Sequence, residues 1–125
     1  MSTDELVKQY LSSEGYKYDV DNDGDIHFKC EGVNLYFTVD KRDQLFFRII
    51  MPDIYRLEGN RTKVLEAINT VVRDTKVLKA FLVDDMLGLS VDLFIDTTPE
   101  LDDFFPRCLD LLIEGRTRIA AEIFG

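Results

Sequence analysis

A chain of 125 residues with net charge −9 and a hydrophobic fraction of 46% has the size and balance of one globular domain, residues 1–125, able to build a core without disulfide staples. The acidic balance repels phosphate backbones, which argues against nucleic acid as a partner, and no apolar run approaches the roughly 20 residues of a membrane span. The opening residues carry no apolar signal segment, and Cys30 and Cys108 as the two cysteines fit a reducing cytoplasm better than a disulfide framework.

The spacing predicts a first helix over about Thr3 to Glu14. Ser2 and Glu5 stand at capping-box positions, Leu6, Val7, Tyr10 and Leu11 recur at helical spacing, and Gly15 suits the residue after a helix end. Strict alternation then takes over. Tyr16, Tyr18 and Val20 form one strand, and Ile26, Phe28 and Cys30 a second, with the turn Asp21-Asn22-Asp23-Gly24 between them. After Glu31-Gly32 comes a third strand with Val33, Leu35, Phe37 and Val39 on one face. A polar turn, Asp40 to Asp43, leads to a fourth strand with Leu45, Phe47, Ile49 and Met51 on one face. Phe46 and Ile50 stand beside Arg48 on the other. Pro52 lacks the N–H that a ladder needs and is expected to end this strand, leaving Asp53 to Gly59 as an irregular connector.

Asn60 is a good capping residue for a second helix over about Arg61 to Asp74, whose stripe reads Val64, Leu65, Ile68, Val71 and Val72. A hairpin follows over Lys76 to Ile95, turning at Asp84-Asp85. Its first strand is apolar on both sides, which suggests a central position. Its second alternates cleanly, with Leu87, Leu89, Val91, Leu93 and Ile95 opposite Gly88, Ser90, Asp92 and Phe94. Thr98-Pro99-Glu100 reads as the start of a last amphipathic helix reaching Ile123. Pro106 inside it is expected to kink the helix or shift its start to about Phe105, and Gly115 is a second weak point.

The order α-β-β-β-β-α-β-β-α defines an α+β fold. We expect a two-layer sandwich, a mainly antiparallel six-stranded sheet with three helices on one face. The sheet's other face would then present Lys17, His27, Lys29, Tyr36, Phe46, Arg48, Ile50, Ser90, Asp92 and Phe94. Within it, Tyr36, Phe46, Arg48, Ile50 and Phe94 are the candidate partner-binding residues, being apolar or aromatic groups set among charges.

Asp19-Val20-Asp21-Asn22-Asp23-Gly24-Asp25-Ile26 resembles a calcium-binding EF-hand loop at positions one, three, five, six and eight. The twelfth position, which needs a bidentate glutamate, holds Cys30, and the flanks are strands rather than helices. The turn Asp19, Asp21, Asp23 remains only a weak cation candidate, and no cofactor is expected. His27 is the sole histidine and lies at odd spacing from Cys30, so the two point to opposite faces. Asp84-Asp85 and Asp102-Asp103 read as turn and helix-start chemistry rather than as an acid–base pair.

The helix, four strands, helix, hairpin, helix order resembles the YbjN-like family of small bacterial proteins. The turn Asp21 to Ile26, Asn60 with the helix after it, the Lys76–Ile95 hairpin and the final amphipathic helix carry the likeness. It implies a fold shared with type III secretion chaperones and a non-enzymatic role. The expected function is a protein-binding or chaperone-like regulatory module, acting on a protein partner or on itself as a homodimer. The alternative is a small-molecule or metal-binding regulator, or an unrecognised enzyme.

Overall fold

The computed structural model describes residues 1–125. Its elements are α1 (Thr3–Ser13), β1 (Tyr18–Val20), β2 (Ile26–Cys30), β3 (Val33–Phe37), β4 (Phe46–Arg56), α2 (Arg61–Arg73), β5 (Leu78–Val83), β6 (Met86–Phe94) and α3 (Leu101–Phe124). The six strands form one sheet in the order β1-β2-β3-β4-β6-β5, and every neighbouring pair is antiparallel. The fold is α+β in the expected element order. One contiguous core joins Val7 and Leu11 of α1, Val64 and Val71 of α2 and Phe105, Leu112 and Ile119 of α3 to Phe28, Phe37, Phe47, Ile49, Leu89 and Val91 of the sheet. All three helices therefore lie on the same side, because strand side chains of one parity meet all of them.

The aromatic centre of that core sits on Phe105, whose ring lies 4.6 Å from Tyr10, 6.0 Å from Phe28 and 5.8 Å from Phe47. Tilted and edge-on contacts of this kind add to the area that the rings bury. Gly115 sits where α3 presses on the sheet. A Cβ there would come within 2.7 Å of Leu78 Cδ2, so the glycine marks a close approach rather than a break. Pro106 does not end α3, which runs through it from Leu101. It is exposed and forgoes only the bond to the Asp102 carbonyl, which faces water near the helix start.

Several local expectations are corrected. Thr98 does not cap α3; Glu100 occupies the cap position. Leu65 is exposed, and Ala67 takes its place beside Val64 and Val71 on the buried stripe of α2. The first strand of the hairpin, β5, is an edge strand rather than a central one. Its second apolar face, Phe81 and Val83, lies on the side of the sheet away from the helices, since Phe81 pairs with Gly88 and Val83 with Met86.

The largest departure is in β4. Pro52 does not end it; the strand continues to Arg56 through a bulge. Met51 pairs with Leu89 and Tyr55 with Leu87, so four steps along β4 match two along β6. Asp53 adopts φ of +56° within the bulge, a left-handed conformation that aspartate tolerates better than most residues. Proline survives here because a bulge interrupts the ladder that would have needed its N–H.

Candidate partner-contact face

The side of the sheet away from the helices carries every partner-binding candidate. Cross-strand pairing sets Phe46 opposite Phe94, Arg48 opposite Asp92, Ile50 opposite Ser90, and Tyr36 opposite Ile50. The Phe46 and Phe94 rings meet at 5.9 Å, close to edge-on, and Phe94 is 76% exposed. The Arg48 guanidinium lies 4.9 Å above the Phe46 ring, a favourable stacking of cation on aromatic face. Arg48 also donates from Nε and Nη2 to Asp92 Oδ2, at 3.2 and 2.9 Å, while Lys79 Nζ reaches the same oxygen at 3.0 Å. Burial acts to raise the Asp92 pKa, but the neighbouring Arg48, Ser90 and Lys79 side chains prevail and hold it below the ordinary carboxylate value.

The face is layered rather than flat. The Phe81 ring lies over Gly88, where a Cβ would fall 2.6 Å from it. Ser90, in the middle of β6, is only 1% exposed although it points away from the core. Its hydroxyl and Asp92 Oδ1 are enclosed with no hydrogen-bond partner. The result is an apolar belt of Tyr36, Ile50, Phe46, Phe94 and Phe81 across β3, β4, β6 and β5, crossed by one polar clamp. Phe81 and Lys79 were not among the sequence candidates. The alternation of β5 contained them, but only its edge position beside β6 reveals that they join this face.

At the β1–β3 end the face turns polar. His27 Nδ1 lies 2.8 Å from Asp19 Oδ1 and Nε2 lies 2.8 Å from Asn34 Oδ1, with the Tyr36 ring 4.9 Å away. Two oxygen acceptors on one imidazole favour the doubly protonated ring. The Asn34 and Asp19 hydrogen bonds accordingly raise the His27 pKa above its ordinary value. Asp19 thus serves His27 and stands apart from the acidic turn, where Asp25 takes its place. Asp21, Asp23 and Asp25 each bring an oxygen within 4.8 Å of the others. Asp21 Oδ1 already accepts the N–H groups of Asp23 and Asp25, and Asp25 Oδ1 that of Val39. Those bonds build the turn.

Burial pushes the Cys108 thiol up to about 11 and raises that of Cys30 as well. Cys30 lies beside the Tyr16 hydroxyl at 3.9 Å, on the helix side of the sheet, away from His27. Asp84 and Asp85 both adopt positive φ, 50° and 63°, and so make the tight turn that a two-residue hairpin requires. Asp102 and Asp103 lie in the first turn of α3, where carboxylates meet the positive end of the helix.

A three-helix, six-stranded sandwich with one sheet face left open defines a small α+β class. The chain belongs to the YbjN family, whose model, described as "Putative bacterial sensory transduction regulator", matches residues 3–106. Among solved structures it is similar to YbjN from E. coli, with TM-score 0.64 at 13% identity over 92% of this chain and 87% of that one. It is equally similar to a protein from Methanothermobacter thermautotrophicus, with TM-score 0.66 at 12% identity over 97% of this chain and 96% of that one. At such identities the likeness is one of fold. No curated protein matches the chain. No helix is long and apolar enough to cross a membrane.

Proposed function

We propose that this chain is a non-enzymatic regulatory module that binds protein through the open face of its sheet, with a second copy of itself as the occupant. The observation that carries the reading is the belt of Tyr36, Ile50, Phe46, Phe94 and Phe81, an apolar tract on the one layer of the sandwich that no helix covers. Half-buried apolar groups set among charges, with Phe94 standing exposed, are what contact sites present.

Charge favours self-pairing at this face. The chain carries −9 overall, yet here Lys29, Arg48 and Lys79 stand against Asp19 and Asp92. Two copies meeting by these faces would keep their acidic surfaces apart. A patch holding both signs around an apolar centre can also be complementary to itself across a two-fold axis. The regulatory character agrees with the family's description. Groups that a catalyst would draw on are already engaged, with both His27 nitrogens bonded and Asp92 Oδ2 shared by two cations. A cytoplasmic site of action suits two free thiols.

Light scattering on size-exclusion peaks tests the reading. The wild-type chain should run as a dimer when loaded near millimolar concentration, and the double variant Phe46→Asp, Phe94→Asp as a folded monomer. A wild-type monomer, or a double variant that still dimerises, would overturn self-pairing through this face. Retention of a foreign polypeptide that the double variant loses would replace the second copy with another protein.

A further inference from the structure

A second surface lies on the helix side, where the bulge carries β4 away from its regular path. Ile54, Tyr55 and Leu87 of the sheet face Arg116, Thr117, Ile119, Ala120, Ile123 and Phe124 of α3 across a cavity of about 310 Å³. That volume is at the low end of the range for small-molecule sites, about 300–1,000 Å³. Seven of its nine lining residues are hydrophobic. Phe124 stands at its rim, 70% exposed, with its ring edge-on to Tyr55 at 5.3 Å.

Two features bear on what this hollow could hold. The first is Arg116. It is exposed and makes no ion pair or side-chain hydrogen bond, a state it shares with Arg42, Arg56 and Arg107, but it alone of these four borders the cavity. It also borders a neighbouring hollow with Asp53, but no ion pair joins them. The second is Asn60. It stands at the cap position of α2 yet makes no capping bond. Its amide instead donates to Tyr55 Oη at 2.9 Å, while its oxygen accepts the Glu58 N–H at 3.0 Å. A residue type well suited to capping here holds Tyr55, a wall of the cavity.

We propose that this cavity binds a small amphiphilic carboxylate, with the anionic head on Arg116 and the apolar body among Ile54, Leu87, Ile119 and Ile123. A guanidinium matches a carboxylate in a two-bond fork. A single cation on a chain of charge −9, with Asp53 close by, favours a monoanion over a phosphate with two charges. The apolar part of the site lies on the opposite side of the sheet from Phe46 and Phe94, although Arg116 also borders a hollow that reaches Tyr36 at the bulge, so the failure of one proposal leaves the other standing.

Octanoate and octan-1-ol, titrated in parallel by calorimetry and by amide NMR shifts, provide the test. Octanoate should bind with shift changes at Tyr55, Ile119 and Ile123. Arg116→Gln should weaken octanoate by about tenfold or more and leave octanol unchanged, since it removes one charge-assisted contact. Ala120→Phe should fill the hollow and abolish both. Arg116 and Ala120 are exposed, and thermal melts of each variant confirm that the fold is kept. No octanoate binding, equal binding to wild type and Arg116→Gln, or shifts confined to the open face would overturn the proposal.

Discussion

The two halves of β4 obey different rules. From Phe46 to Met51 the strand alternates strictly: Phe47, Ile49 and Met51 are fully buried against the helices, and Phe46, Arg48 and Ile50 lie half-buried on the open face. From Pro52 onward the bulge resets the alternation, and Ile54 and Tyr55 end up lining a cavity against α3. The first half builds a surface by regular pleating. The second builds a concavity by interrupting it. A regular strand makes only two faces; a hollow needs a place where the pleat fails.

The sharpest way to break the comparison is to cut two neighbours of the same type. Phe47→Ala should cost about 3–5 kcal/mol, as expected for a buried aromatic, and Phe46→Ala about 1 kcal/mol or less with the protein held monomeric by dilution. Urea unfolding measures both, and equal losses would erase the distinction between the faces. Next in size is the bulge. Asp53→Val places a β-branched residue at φ of +56° and should cost about 1–2 kcal/mol, whereas Asp53→Gly should cost nothing. A neutral valine would mean that the bulge is absent in solution.

Asp92→Asn probes the clamp on the open face and should cost about 1 kcal/mol. The folded pKa of Asp92 is lowered. Its contribution is therefore present above the unfolded value of about 3.9 and is lost as pH falls through the folded pKa. The difference between wild type and variant should shrink in acid; a difference that grows there would contradict the clamp. His27→Gln should give the smallest effect, within about 1 kcal/mol, and the opposite sign of pH dependence. The folded pKa of His27 is raised. Its contribution is full below the unfolded value of about 6.5 and disappears as pH rises through the folded pKa. Stability curves at pH 5.5 and 8.5 check this, and a constant difference would count against the doubly bonded ring.

Where the pleat is regular, sequence was enough. The alternations of Leu87 to Ile95, of Phe46 to Met51 and of Val33 to Val39 place Tyr36, Arg48, Ile50 and Phe94 on the open face. Strand order is not legible, because pairing partners are chosen by long-range packing; the two apolar sides of β5 suit a central strand as well as an edge, and only the edge position puts Lys79 and Phe81 on the open face. The bulge was hidden for a local reason. Pro52 signals a broken ladder bond, but the same signal serves a strand that ends and one that kinks and continues. Asn60 was read as a cap from its residue type, and its engagement with Tyr55 depends on where the bulge delivers that tyrosine. Asp19 was grouped with the acidic turn by spacing, whereas strand pairing sets it opposite His27.

An NMR dilution series on the uniformly labelled chain tests the central claim most directly. On going from millimolar to low-micromolar concentration, the amides of Phe46, Arg48, Ile50, Asp92 and Phe94 should shift together along one monomer–dimer isotherm, while those of Ile54, Ile119 and Ile123 stay fixed. Shifts at the α3 cavity with a silent open face, or no concentration dependence with a monomer's tumbling time throughout, would contradict it.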